Sequence, residues 1–221
     1  MNTGYTIKPL SERALLVQFN DVLSEAINAR VIALHETLLK NPFPGYVESV
    51  PGYSSLGVFF NMEEISLEAS FERVQESLHH AVAQIEYSEK PVRNIIEIPV
   101  RYGGTDGPDI EYVAAQNSIS VEEVIALHSE NIYSVFMLGF LPGFPYMGIT
   151  NKKLTVERKA SPRLRVPAGS VALAGNQTGI YPEDSPGGWQ IIGRTDMVLF
   201  DALKQLPNFL QAGDRVRFRP V

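Results

Sequence analysis

Hydrophobic positions divide the chain into two halves with different rhythms. Tyr5–Lys8 and Arg13–Phe19 read as strands, with Pro9, Ser11 and Glu12 as turn material between them. From Ser24 to Lys40 the apolar residues Ile27, Val31, Leu34 and Leu38 recur at steps of four, three and four, which places one stripe on one face of a helix. Asn41-Pro42 ends it. Val47–Val50 and Leu56–Phe60 read as two more strands, and Ser66–Ile85 as a second amphipathic helix presenting Phe71, Val74, Leu78, Val82 and Ile85. Two helices with one apolar stripe each can cover one face of a four-stranded antiparallel sheet. The first 90 residues are therefore expected to form a small two-layer α/β domain of order ββαββα, joined to the rest by the polar stretch Tyr87–Pro91.

Residues 91–221 lack long stripes. Asn94–Val100 reads as a strand and Gly103–Pro108 as a loop. Two short helices follow, the first capped by Asp109 and the second, running to about His128, by a capping box of Ser120 and Glu123. After a strand over Tyr133–Leu138 only short apolar runs punctuated by Gly and Pro remain, and such runs predict a closed or nearly closed β-barrel. The expected class is α+β.

Composition narrows the function. No run approaches the ~18–20 apolar residues of a membrane helix, and Met1–Leu10 carries no basic segment leading into an apolar run, so no secretory signal is expected. The absence of cysteine excludes disulfides, thiolate metal sites and a thiol nucleophile, and is compatible with the cytoplasm. The net charge of −6 argues against nucleic acid as a partner. That acidity resides in residues 1–90, with 6 Lys+Arg against 12 Asp+Glu; residues 91–221 hold 13 of each. No phosphate-binding glycine loop, dinucleotide fingerprint, zinc-protease motif or serine-hydrolase elbow occurs, so complete chemistry by this chain alone is not expected.

Three segments of the C-terminal half could carry chemistry. Gly139–Tyr146 holds two prolines, two glycines and three aromatic residues, a stiff loop that suits a core lid and a pocket wall equally. Arg158–Ser170 is dense in guanidinium groups, which read carboxylates and phosphates as bidentate forks. Arg163, stiffened by Pro162, is the favoured anion contact in it, although runs of charge are commonly solvated faces. Gln177–Gln190 contains the only tryptophan, Trp189, beside a glycine pair; a tight turn explains the glycines, while Gln177, Tyr181 and the following Arg194 suggest a site. His128 is the only histidine of this half, a helix-end cap by position and a general acid or base by chemistry. His35, His79 and His80 are read as ordinary helix-face residues.

These residues resemble a known family. Tyr5–Leu10, Val50-Pro51-Gly52, Ile98–Gly104, Leu138–Tyr146, Pro162-Arg163, Val166–Val171, Gln177–Pro182, Ser185–Trp189 and Gly213-Asp214 are similar to the family of 5-oxoprolinase B subunits, which is related to allophanate hydrolase subunit 1 and to the histidine-kinase inhibitor KipI. The resemblance implies a cyclophilin-like barrel over 91–221 and a subunit that works with A and C subunits as partners. Together these convert 5-oxo-L-proline to L-glutamate with ATP consumed by the assembly, no cofactor or metal being held by this chain alone. For such a substrate the roles expected of individual residues are Phe144, Tyr146 and Trp189 as walls, Arg163 and Arg194 as anion contacts, and His128, Gln177 and Tyr181 as polar or proton-handling groups. The alternative within the same resemblance is an inhibitor of histidine-kinase autophosphorylation.

Overall fold

The computed structural model of the protein describes residues 4–20, 22–64, 70–85 and 95–221. They belong to two compact units, Met1–Val92 and Arg93–Val221. The expected linker at 87–91, the first residues of the helix expected from Ser66 and the expected strand start at Asn94 lie outside the described residues.

In the first unit the strands β1 (Tyr5–Ser11), β2 (Ala14–Phe19), β3 (Tyr46–Pro51) and β4 (Ser55–Phe60) form one antiparallel sheet in the order β1-β2-β4-β3. Helices α1 (Glu25–Lys40) and α2 (Ser70–Ala83) complete the ββαββα order. Alternation along β2 and β4 sends Leu15, Val17, Leu56 and Val58 into a core that also takes Val31, Leu34 and Leu38 from α1 and Val74 and Leu78 from α2. Burying each such side chain stabilises the unit by roughly 1.5–3 kcal/mol. Asn28 interrupts the apolar stripe of α1 and is itself buried, because its amide donates to the carbonyls of Gly52 and Tyr53.

The second unit contains β5 (Ile95–Tyr102), α3 (Ile110–Asn117), α4 (Val121–Glu130), β6 (Tyr133–Leu138), β7 (Pro145–Gly148), β8 (Arg163–Val166), β9 (Ser170–Ala174), β10 (Gln177–Ile180), β11 (Ser185–Gly187), β12 (Gln190–Arg194) and β13 (Arg215–Pro220). Seven strands close into a barrel in the order β10-β7-β6-β13-β5-β12-β9, while β8 and β11 pair outside it. Only β5 and β13 run parallel, with Ile98 opposite Phe218. Closure leaves the barrel without an unpaired edge.

Strand alternation then builds two apolar layers. Val171 and Leu173 of β9 and Ile192 of β12 fill the barrel with Ile98, Val135, Met147 and Phe218. Their neighbours Ala172, Ala174 and Ile191 belong to a separate cluster with Phe144, Val166, Tyr181 and Trp189. That second cluster is the floor of the candidate site.

One of the two helix caps is as expected and the other is not. The Ser120 hydroxyl accepts the Glu123 N–H at 3.1 Å, as a capping residue should. Glu123, however, pairs with Lys153 at 2.8 Å on the protein surface. Asp109 makes no side-chain cap at all, because its carboxylate is drawn to stronger, charged donors described below.

Candidate functional site

Between β6 and β7 the chain makes a turn in which the Phe144 N–H donates to the Leu141 carbonyl at 3.0 Å. Pro142 supplies the fixed φ at the second position and Gly143, at φ +80°, the left-handed third, as a type II turn requires. A Cβ on Gly143 would lie 2.9 Å from Phe200 Cβ and 3.1 Å from the Leu199 carbonyl, so the segment around 199–208 packs directly on this turn. Phe144 is driven inward and buried. Phe140 goes the other way: it is 62% exposed and holds φ +67°, a conformation that is rare for a bulky residue and costs on the order of 1–3 kcal/mol. Its ring stands edge-on to Phe144, with centroids 5.7 Å apart, and to Tyr181 at 6.5 Å.

The segment after β10 meets this loop. Tyr181 is buried against Phe144, with centroids 5.2 Å apart, and its hydroxyl takes a hydrogen bond from the Trp189 backbone N–H. Gly187 is required here because any Cβ would overlap the Tyr181 hydroxyl. Trp189 packs edge-on to both Phe144 (5.5 Å) and Tyr146 (5.8 Å). Burial raises the phenol pKa of both tyrosines, opposed by the nearby Arg158, so both are neutral donors near pH 7.

The basic segment forms the third wall and is tied down by a buried carboxylate. Oδ1 of Asp109 accepts from Arg163 at 2.7 Å and Lys159 at 3.2 Å, and Oδ2 accepts the Ile191 N–H at 2.7 Å. Burial alone would push the Asp109 pKa up, but the Arg163 bond, the Ile191 N–H and Lys159 together outweigh it and hold the carboxyl below its ordinary value. The anchor is therefore charged.

These three segments enclose a cleft of about 430 Å³, lined among others by Phe140, Tyr146, Arg158, Lys159, Tyr181 and Trp189. Of the eight residues singled out in the sequence, Phe144, Tyr146, Tyr181 and Trp189 come together here. Arg163 sits at the flank with its charge committed to Asp109, although its Nη1 is buried without a hydrogen-bond partner. Arg194 does not line the cleft; its Nε donates to the Ala168 carbonyl at 3.0 Å. Gln177 lies in the barrel wall, opposite Gly148 and Ala174.

His128 is enclosed in the barrel, fully buried and stacked on Phe218 with centroids 4.4 Å apart. The Thr178 hydroxyl donates to the Ala172 carbonyl at 3.1 Å, so it must accept from His128 Nε2–H at 2.9 Å, leaving Nδ1 to accept from the Tyr102 hydroxyl at 2.7 Å. Burial pushes the imidazole pKa down to about 3. His128 is thus a neutral core residue, not the charged helix-end cap that its position suggested, and it does not reach the cleft.

Arg158 and Phe140 were not identified individually from the sequence, and Asp109 was read there as a helix cap. Arg158 lies 5.7 Å from the centroid of Trp189, a residue 31 positions away, and no local pattern marks such a pair. Among the described residues no three His, Asp or Glu side chains are grouped as for a metal ion, and no helix is long and apolar enough to cross a membrane.

Comparison with known proteins agrees with this architecture. Residues 5–210 match the carboxyltransferase domain family, subdomains C and D. The chain is 42% identical to the 5-oxoprolinase B subunit of Bacillus subtilis over 99% of its own length and 93% of that protein. It is likewise 42% identical to the protein of the same name from Escherichia coli O157:H7, over 96% of this chain and 94% of the other. The crystal structure of TTHA0988 superposes with a TM-score of 0.83 at 40% identity, covering 95% of this chain but 40% of that longer one. With full-length agreement in sequence and the same barrel in three dimensions, the chain belongs to the family of 5-oxoprolinase B subunits, within the carboxyltransferase-domain proteins.

Proposed function

We propose that the chain is the B subunit of an ATP-dependent 5-oxoprolinase, acting in the cytoplasm with A and C subunits to convert 5-oxo-L-proline to L-glutamate. The observation that carries this reading is the convergence of the three Pro/Gly-framed loops on one aromatic-walled cleft that is open to solvent, within a chain 42% identical to named B subunits over nearly its whole length. A lactam carbonyl is a poor electrophile. Transfer of a phosphoryl group from ATP to its oxygen permits addition of water, opening of the C–N bond to an acyl phosphate, and release of phosphate by a second water. This chain's part is binding and orientation of the ring, ATP being consumed by the assembly and no cofactor being held by this chain alone.

Side chains at the cleft fit that part. Trp189 and Tyr146 wall the cleft with aromatic surface, and the phenols of Tyr146 and Tyr181, kept neutral by burial, do not repel an anion. The subunit reading also supplies an occupant for the apolar surface beside the cleft. Val198, Leu203 and Leu206 are 63%, 97% and 69% exposed on the segment that packs against the Gly143 turn, and Phe140 is exposed within the loop that makes that turn. A partner subunit covering them would remove a large apolar area from water.

Reconstitution tests the proposal. The chain mixed with candidate A and C subunits should co-elute with them and release glutamate from 5-oxoproline in an ATP-dependent manner. Leu203→Glu should abolish co-elution while leaving the chain folded. Association with a histidine kinase, with no effect on glutamate release, would overturn the assignment in favour of an inhibitor.

A further inference from the structure

We propose that Arg158 is the group in the cleft that reads a carboxylate, so that the cleft selects a small planar ring bearing one carboxylate over the same ring without it. This deepens the functional reading above and rests on it.

Most positive charges of the basic segment are already committed. Lys159 and Arg163 are bound to Asp109. Arg165 is bound to Asp184 through Nε at 2.8 Å, and Arg194 donates to the Ala168 carbonyl. Arg158 makes no ion pair or hydrogen bond among the described residues, yet it lines the cleft over the Trp189 ring. A guanidinium resting on an aromatic face keeps its N–H fork in its own plane and free to point away, which is the geometry for bidentate capture of a carboxylate.

The position is also built. Val156 exchanges backbone hydrogen bonds with Gly175, its carbonyl accepting at 2.7 Å. Buried Gln190 donates to the Glu157 carbonyl at 3.0 Å, and the Lys159 N–H donates to the Gly188 carbonyl at 2.7 Å. Arg158 is therefore flanked on both sides by anchored backbone while its own side chain is exposed. An uncommitted cation on a fixed stem is preorganised for a ligand, because little backbone freedom remains to be lost on binding. The Coulombic influence of Arg158 on both Tyr146 and Tyr181 places the two phenols within its field. A ring held against Trp189 and Tyr146 could then present a carboxylate to Arg158 and its amide edge to a phenol.

Trp189 is the only tryptophan, so ligand entry can be read directly from its fluorescence. The full chain is titrated with 5-oxo-L-proline, with 2-pyrrolidinone, which is the same ring without the carboxylate, and with inorganic phosphate. The wild-type chain should bind 5-oxoproline roughly ten- to a hundredfold more tightly than 2-pyrrolidinone, the range expected for a charge-assisted bond. Arg158→Gln should lose that preference while binding 2-pyrrolidinone as before, and Arg158→Lys should restore part of it. In the reconstituted enzyme the same Gln variant should raise KM for 5-oxoproline by a similar factor with co-elution intact. Equal binding of the two rings, phosphate competing as well as 5-oxoproline, or an unchanged KM in Arg158→Gln would each overturn the proposal. If the wild-type assembly releases glutamate and the variant does so equally well, only the role of Arg158 falls; if the wild-type assembly releases none, the subunit reading falls with it.

Discussion

Adjacent residues on β10 face two clusters of similar composition and opposite character. Thr178 points into the barrel, where it joins His128 and Tyr102 in a chain of hydrogen bonds that satisfies both imidazole nitrogens and excludes water. Gly179 faces the other way, where its missing side chain makes room for Phe144, since a Cβ would come within 2.9 Å of that ring. There the aromatic residues stand around an open cleft, the Arg158 guanidinium lies over the Trp189 ring with no ion pair or hydrogen bond among the described residues, and Phe140 holds a strained backbone with most of its ring in water. The interior cluster has its polar capacity used up within the fold, so it can specify and stabilise a structure but has nothing left with which to bind. The cleft retains unpaired capacity at a cost in stability, as binding sites do.

Substitutions should separate the two. Largest is His128→Ala, which leaves a cavity beneath Phe218, takes the acceptor from the Tyr102 hydroxyl and leaves the Thr178 hydroxyl with only its bond to the Ala172 carbonyl; it should lower unfolding free energy by about 3–5 kcal/mol in urea titrations. Next, Asp109→Ala removes the acceptor for Arg163, Lys159 and the Ile191 N–H. With both cations a quarter to a third exposed, water compensates part of the loss and about 2–3 kcal/mol is expected, together with weakened ligand response from Trp189 as the basic wall loosens.

Acid should act through the interior cluster. The His128 pKa is depressed in the folded chain to about 3 against an ordinary value of 6.5, so the unfolded chain binds the extra proton. The stabilisation is complete above about pH 6.5 and is lost progressively as pH falls toward 3. Between pH 7 and pH 5 the contribution of this group is about 2 kcal/mol. It is measured as the difference in pH dependence between wild type and His128→Gln, which does not titrate, and equal slopes would contradict a buried neutral imidazole.

The smallest effect has the opposite sign. Phe140→Gly relieves the left-handed strain and should raise stability by about 1 kcal/mol while weakening assembly or turnover severalfold. A destabilised variant with full activity would place Phe140 among the packing residues instead.

How much of this was legible in the chain follows from the range of the interactions. The stripe of Val31, Leu34 and Leu38, the order ββαββα, the Ser120 cap and the strand Tyr133–Leu138 depend on neighbours within a few positions, and the structure shows each of them. The aromatic loop was legible as a stiff unit because Pro142 and Gly143 set its turn by their own backbone limits. Asn28 was not, since its polar group is satisfied by carbonyls 24 and 25 residues away.

The sequence by itself determined the local periodicities, the turn chemistry and the family, because these are written in residue types at short spacing. Tertiary structure alone decided that Asp109 anchors a basic segment some 50 residues distant instead of capping its helix, that His128 is sealed and neutral, and that Arg158 rather than Arg163 is left uncommitted. The reason is that charge and polarity are spent on whichever partners the closed barrel brings near, and a side chain's availability depends on partners that its own stretch of sequence does not contain.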